Sequence, residues 1–306
     1  MTQDLINPQA AALTENIEGY LRLSVAENTS RAYKTDLDHF YAWGGSIPST
    51  PETVAAYLAA HANILSIATL VRRLAAVSKQ HTLQGLPSPS SVELVRLTMK
   101  GIKRQHGKPQ TQAAPLCRDD IILVLNAIPD DLRGCRDKAV LLIGFCAALR
   151  RSELCRIRHA DLQFTAEGLI LTLPRSKTDQ TGEGRKIGIP HGRGRICPVQ
   201  TLKGWLERSG ITEGFIFRAV SGGKVEDAHL SDRSICNIVK SRVNLVGLDA
   251  NRYSGHSLRS GLATSAAQQG YSSWEIRRQT GHKSDGMLAR YIREGSLFRN
   301  NVAALF

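Results

Sequence analysis

The sequence feature that most constrains the fold is an apolar run from Ala139 to Leu149, which ends directly at Arg150 and Arg151. A helix that crosses a membrane needs ~20 apolar residues, whereas this run has eleven. The run therefore predicts a buried helix that ends in two positive charges. Such an end usually lies in solvent, so the arginines alone do not identify a site.

The charge balance indicates what kind of partner the chain binds. Lys and Arg number 40 against 27 Asp and Glu, a net charge of +13. Residues 1–107 hold 10 basic and 8 acidic side chains, whereas residues 108–306 hold 30 and 19, so a net charge of +11 lies in the second part. This excess favours nucleic acid or an acidic membrane as partner, although a protein can also simply be basic.

Several classes of protein are not expected. The N-terminus has no basic stretch followed by an apolar core, and the six cysteines form no C-x-x-C pair. We therefore expect a cytoplasmic protein with reduced thiols, no membrane span and no metal site.

A polar stretch with two prolines, residues 105–115, divides the chain. It predicts a helical domain at 12–107, a linker at 108–115 and a second domain at 116–306. Apolar spacing predicts a bundle of about four helices in the first domain. The predicted helices are the segment between Thr29-Ser30 and Gly44-Gly45, and residues 53–62, 69–81 and 92–103.

The second domain mixes two periodicities. Alternation predicts strands at 169–173 and 186–190, joined as a hairpin by a polar loop. The segments before and after this hairpin have apolar residues at helical spacing. We therefore expect a mainly α protein with a small β-sheet, an α+β fold. The predicted helices are residues 117–128, 132–149, 198–209, 231–246 and a final helical segment from His256 onward.

Four places in the second domain hold basic residues for which a purely structural role is strained, and a tyrosine follows the last of them. Taken singly, each is more simply a solvated or structural residue, and only their order is informative. In chain order they are Arg150, Lys177, His256, Arg259, His282 and Tyr291.

That order resembles the active-site signature of the tyrosine recombinase (phage integrase) family. The matching stretches are Ala-Leu-Arg-Arg-Ser-Glu-Leu at 148–154, Arg-Ser-Lys-Thr at 175–178, Gly-His-Ser-Leu-Arg-Ser-Gly at 255–261 and Gly-His-Lys-Ser at 281–284, with Tyr291 nine residues past His282. The family's layout, a helical SAM-like core-binding domain followed by a catalytic domain, matches residues 12–306. One departure is Ala148, which stands where the family commonly has glycine.

The resemblance implies a chemistry that these residue types can perform. A tyrosine hydroxyl has a pKa of ~10, and fixed positive charge favours its phenolate and stabilises a pentacoordinate phosphate. By resemblance, Arg150 and Arg259 clamp the scissile phosphate and Lys177 protonates the leaving 5′ oxygen.

Roles for the remaining motif residues follow from the same resemblance. His256 is the proton-transfer partner of Tyr291, which forms a 3′-phosphotyrosine bond, and His282 donates to a non-bridging phosphate oxygen. Glu153 orients the basic cluster. No ATP, divalent metal or other cofactor is required in this scheme.

The resemblance also implies the partners. These are double-stranded DNA with inverted-repeat core sites, further copies of the chain in a tetramer on two sites, and an optional accessory directionality protein. The C-terminal residues 295–306 would form a short apolar helix that docks on a neighbouring protomer or, alternatively, on its own domain. Four basic residues are candidates for DNA phosphate contacts, with a solvated basic surface as the alternative: Arg185, Lys186, Arg193 and Arg195.

Two rival functions share part of this pattern. A type IB topoisomerase-like enzyme uses the same Arg, Lys, His and Tyr chemistry to relax DNA without exchanging partners. A DNA-binding regulator with a silent active site would need none of these side chains, whereas all six are present. The separate helical domain and the short chain favour site-specific recombination, for integration, excision or resolution of a mobile element.

Overall fold

A computed structural model describes residues 20, 27–108, 112–174, 184–192, 194, 196–282 and 284–295. Backbone proximity divides the chain into two units, residues 1–110 and 111–306, and this division falls within the stretch that the sequence predicts as linker. Several residues singled out above lie outside the described residues. They are Lys177, Arg193, Arg195 and residues 296–306 of the C-terminal segment.

The first unit is a helical bundle. Its helices are α1 (Glu27–Ala42), α2 (Pro51–Ala60), α3 (Ile67–Leu83) and α4 (Glu93–His106), with a short 3₁₀ turn at Pro89–Ser91. Side chains of Thr50 and Ser66 cap the starts of α2 and α3 by accepting backbone N–H bonds. Phe40, Tyr57, Leu58 and Leu70 are almost fully buried in its core. Apolar spacing therefore predicted these helices well, because each has one buried face.

The second unit is mainly helical, and its described residues include two small antiparallel sheets. Its helices are α5 (Arg118–Ala127), α6 (Leu132–Cys146), α7 (Arg151–Leu154), α8 (Pro198–Ser209), α9 (Asp232–Asn244), α10 (His256–Gln269), α11 (Ser273–Thr280) and α12 (Asp285–Gly295). Short 3₁₀ turns lie at His159–Asp161 and Ala250–Arg252. The mainly α fold with a small β component is thus confirmed.

The sheets are larger than the sequence predicted. The first has three strands in the order β1 (Leu162–Phe164), β2 (Gly168–Leu173) and β3 (Arg185–Pro190), and the hairpin of β2 and β3 is the predicted one. A second sheet pairs β4 (Arg218–Ser221) with β5 (Lys224–His229), and neither strand was predicted. Both of these strands are short and largely polar, so alternation gives no signal for them.

Two helix predictions were wrong at their ends. The helix predicted over 132–149 stops at Cys146, because Ala148 adopts a left-handed backbone with φ of 49°. The segment from His256 onward is divided into separate helices, because Gly270 and Gly281 have left-handed φ values of 87° and 69° and end α10 and α11.

Helix α6 lies in the core of the second unit, as the apolar run predicts. Residues Ala139–Ile143 are buried, and Trp205 of α8 packs in the same cluster and donates from Nε1 to the carbonyl of Ile216 at 2.7 Å. In the described residues we find no helix long and apolar enough to cross a membrane. The core therefore supports the short segments that carry the site.

A candidate active site in the second unit

Arg150 is held in place at the end of the buried run. It lies just before α7, and Glu153 accepts from its backbone N–H at 2.9 Å and from its Nη1 at 2.6 Å. Glu153 is buried, whereas the Arg150 side chain keeps 25 % of its surface exposed. One carboxylate thus fixes both the turn and the direction of the guanidinium.

Arg259 is the most deeply buried cation of the site, with 2 % of its surface exposed. Its Nη1 donates to the carbonyl oxygen of Ala148 at 2.7 Å, while its Nη2 has no hydrogen-bond partner among the described residues. Helix α10 brings Arg259 here by packing against the segment before α5. A Cβ at Gly261 would overlap the carbonyl oxygen of Leu116, so the last glycine of this motif permits that close approach.

His256 and Tyr291 meet at the surface of the site. His256 begins α10, and its Nε2 lies 2.9 Å from the hydroxyl oxygen of Tyr291 on α12. The two residues are 35 positions apart in the chain, so tertiary packing makes this pair. A neutral imidazole can take the phenol proton across such a contact.

His282 lies in the turn between α11 and α12. Its ring centroid is 6.2 Å from that of Tyr291, and its Nδ1 is 2.7 Å from the hydroxyl oxygen of Thr280. The preceding Gly281 has a left-handed φ of 69°, which strains any other residue, and a Cβ there would also displace the guanidinium of Arg185. Sequence reasoning missed Thr280, whose signal is a hydroxyl two residues before the motif histidine, at a helix end.

Arg185 and Lys186, which the sequence grouped together, differ in position. Arg185 is half-buried, interacts electrostatically with Glu153 and Arg150, and has an Nε without a hydrogen-bond partner among the described residues. Lys186 is exposed, as alternation along β3 requires. The structure therefore brings Arg185 into the cluster and leaves Lys186 on the surface.

Burial and nearby positive charges lower the pKa values of three side chains in the cluster. Burial, together with the charge of Arg150, lowers the pKa of Arg259 to about 10. Burial and the charges of Arg259 and Arg150 lower the pKa of His282 to about 3 and lower that of His256 as well. Both histidines are therefore neutral near neutral pH, while Arg259 stays charged.

The arrangement suits an anion that carries several oxygens. Three guanidinium groups converge there, those of Arg150, Arg185 and Arg259, beside a phenol that is paired with a neutral imidazole. Arg185 and Arg259 each have a buried N–H group without a hydrogen-bond partner among the described residues. A phosphate group would satisfy the buried donors and offset the repulsion between the arginines. Within the described residues, no group of three His, Cys, Asp or Glu side chains could hold a metal ion.

The fold is that of DNA integrases. A lambda integrase fragment, solved as a dimer bound to a core site, aligns with a TM-score of 0.65 and 19% identity over 93% of this chain and 95% of that one. A lambda integrase tetramer bound to a Holliday junction aligns with a TM-score of 0.63 and 18% identity over 97% of this chain and 84% of that one.

Sequence comparison identifies the family. An integrase/recombinase, a XerD homologue of Selenomonas ruminantium, is 39% identical over 92% of this chain and 86% of its own length. The model of the phage integrase family matches residues 116–296. The chain therefore belongs to the phage integrase family and is a tyrosine recombinase, an enzyme that exchanges DNA strands. The family that the motifs predicted is confirmed.

Proposed function

We propose that this recombinase cuts and rejoins duplex DNA at inverted-repeat core sites, using Tyr291 as nucleophile, to integrate, excise or resolve a mobile element. The observation that carries the assignment of the nucleophile is the 2.9 Å contact between Tyr291 and His256 beside the buried Arg259. No other tyrosine of the described residues has such a contact with a motif histidine.

The proposed cleavage step uses each side chain once. The Tyr291 oxygen bonds to phosphorus while its proton passes to Nε2 of His256, and Arg150 and Arg259 stabilise the extra negative charge. The bond from phosphorus to the 5′ oxygen then breaks, and that oxygen takes a proton from Lys177. The product is a 3′-phosphotyrosine, and attack by the 5′ hydroxyl of a partner strand reverses the step.

Other residues have supporting roles in this proposal. Glu153 holds Arg150 in position. His282 is neutral in the DNA-free site, so it donates to a non-bridging phosphate oxygen after the negative charge of the bound phosphate has raised its pKa and it has taken up a proton. Arg185, Lys186, Arg193 and Arg195 contact DNA phosphates, Arg185 closest to the reacting group. This chemistry requires no metal ion or other cofactor, because the cationic side chains supply the positive charge.

The assembly is also part of the proposal. Residues 12–107 and 116–306 both bind a core site, and the second of these domains performs the chemistry. Four copies act on two sites, and the structural likeness to a lambda integrase tetramer solved on a Holliday junction supports an assembly of four. Residues 295–306 dock on a neighbouring protomer, an accessory directionality protein is optional, and the protein works in the cytoplasm with access to DNA.

The first test is covalent trapping. DNA from the flanks of this gene, nicked near candidate inverted repeats, is incubated with the wild-type chain and with Tyr291→Phe in the presence of EDTA. We expect a denaturing gel to show protein joined to a 3′ end with the wild type alone, because phenylalanine has no hydroxyl oxygen to form the ester.

The other outcomes discriminate among the rivals. An adduct that survives Tyr291→Phe would identify another nucleophile. Binding without any adduct would favour a silent regulator, and relaxation of supercoiled DNA without joining of two marked sites would favour a topoisomerase-like enzyme.

A further inference from the structure

Thr280 is the last residue of α11 and has none of its surface exposed. Its hydroxyl oxygen makes two contacts of equal length. It lies 2.7 Å from the carbonyl oxygen of Ile276 and 2.7 Å from Nδ1 of His282. A buried threonine is common in a helix, but this one touches a ring of the active site.

The two contacts together determine where the protons lie. A carbonyl oxygen can only accept, so the single hydroxyl proton of Thr280 must point to Ile276. If it pointed to His282 instead, two oxygen acceptors would face each other at 2.7 Å. The lone pairs of the hydroxyl therefore face His282, and Nδ1 of that ring must be the donor.

We propose that Thr280 is a positioning residue that holds His282 in the Nδ1–H form, so that Nε2 is the ring nitrogen that meets the scissile phosphate. This inference rests on the proposed function of the site. With Nδ1 already engaged as a donor, Nε2 is the one ring atom that can take up a further proton and pass it to a phosphate oxygen.

Buried packing and a backbone hydrogen bond hold the end of α11, and with it the Thr280 hydroxyl, in place. Ile276 is buried in a small cluster with Ala263, Ala267 and Leu288, and the N–H of Gly281 donates to the carbonyl of Arg277 at 2.7 Å. The left-handed Gly281 then turns the chain so that His282 faces back to its own helix end. Removing the hydroxyl should therefore free the ring without unfolding the turn.

The test compares three substitutions. Thr280→Val removes the hydroxyl at nearly constant volume, and Thr280→Ser keeps it. Thr264→Val is the matched control, because Thr264 is buried in α10 and its hydroxyl has no hydrogen-bond partner among the described residues. Melting temperatures of all three show that each variant is folded.

The first readout is spectroscopic and needs no DNA. Ring nitrogen shifts in NMR spectra of isotope-labelled full-length protein, assigned with His282→Gln, report which nitrogen of His282 carries the proton. We expect Nδ1–H in the wild type, Thr280→Ser and Thr264→Val, and a shift towards Nε2–H in Thr280→Val. An unchanged His282 signal in Thr280→Val would overturn the proposal.

The second readout is the single-turnover rate of covalent adduct formation. We expect Thr280→Val to be slower by about tenfold, because a ring released from Thr280 no longer holds Nε2 towards the phosphate. Thr280→Ser and Thr264→Val should stay near the wild-type rate. A wild-type rate in Thr280→Val would also overturn the role. If the wild type itself forms no adduct, the proposed function fails, while the NMR readout still decides whether Thr280 fixes the ring.

Discussion

Arg259 carries a positive charge where water scarcely reaches, and its Nη1 donates to the carbonyl oxygen of Ala148. Its Nη2 has no hydrogen-bond partner among the described residues, and Arg150 places a second positive charge nearby, so the DNA-free site is electrostatically unfavourable. In the proposed mechanism a bound phosphate relieves that cost, so we expect part of the affinity for DNA to come from repulsion already present in the protein. Burial, together with the charges of Arg259 and Arg150, also lowers the pKa of His282.

The depressed pKa of His282 predicts how stability depends on pH. In the unfolded chain the histidine titrates near its ordinary pKa of 6.5, whereas in the folded protein its pKa is about 3. As the pH falls below about 6.5, the unfolded state therefore binds the proton first, and stability is lost by up to ~1.4 kcal/mol per pH unit. We expect His282→Gln to make the loss of stability between about pH 7 and about pH 5 less steep.

Urea unfolding measures this slope for the second unit. Trp205 is fully buried there, and in a chain with Trp43→Phe and Trp274→Phe it is the last of the three tryptophans. His256, whose pKa is also lowered, is present in both proteins and contributes equally. Parallel slopes for the two proteins would contradict the prediction.

The turn between α6 and α7 leads from the end of a core helix to Arg150 of the candidate site. It does so through the left-handed backbone at Ala148, which ends α6 at Cys146 and points the Ala148 carbonyl at Arg259. A left-handed backbone costs an L-residue roughly 1–2 kcal/mol, and glycine avoids this cost. The alanine at this position therefore keeps the turn at the expense of stability.

A pair of substitutions isolates that cost. Ala147 and Ala148 are both fully buried, but φ is −88° at Ala147 and 49° at Ala148. Both changes to glycine lose one buried methyl and gain backbone freedom, and only Ala148→Gly relieves the left-handed strain. We expect Ala148→Gly to be more stable than Ala147→Gly by about 1 kcal/mol in urea unfolding. Equal losses would show that the turn holds no strain at Ala148.

The excess of basic over acidic residues lies mainly in residues 108–306. In the structure some of these basic side chains form a buried cluster, whereas others lie on the exposed surface. Buried Arg259 acts on the reacting phosphate in the proposed mechanism, whereas exposed Lys186 can add only affinity. These roles have different signatures, since a contact with the DNA backbone releases counterions and so depends on salt.

We expect the affinity for core-site DNA to fall linearly with the logarithm of salt concentration. Lys186→Gln should make this slope shallower by about one and leave the rate of adduct formation at saturating DNA unchanged. Arg208→Gln is the control, because Arg208 is already paired with Asp130 at 2.8 Å. Fluorescence anisotropy in a Tyr291→Phe background measures the slope. An unchanged slope for Lys186→Gln would remove Lys186 from the interface.

The family, the predominance of helix and the identity of the motif residues could be predicted from the amino-acid sequence alone. The helical spacing of apolar residues predicted the helices of the first unit, because each of these helices has one buried face. The alternation of apolar residues predicted the hairpin of β2 and β3 for the same reason. The sequence pattern did not predict the polar strands β4 and β5, because their pairing depends on contacts with the rest of the chain. It also did not divide the final helical segment, because the left-handed conformations of its glycines depend on such contacts too.

The geometry of the candidate site was decided by tertiary structure. The bond from Arg259 to Ala148 joins residues 111 positions apart, and the contact of His256 with Tyr291 spans 35. In our proposal the tautomer of His282 depends on Thr280, whose hydroxyl lies 2.7 Å from the ring because the left-handed Gly281 turns the chain back to the helix end. The chain order shows which groups are present, whereas burial around α6 and α10 brings those charges together and thereby sets their hydrogen bonds and pKa values.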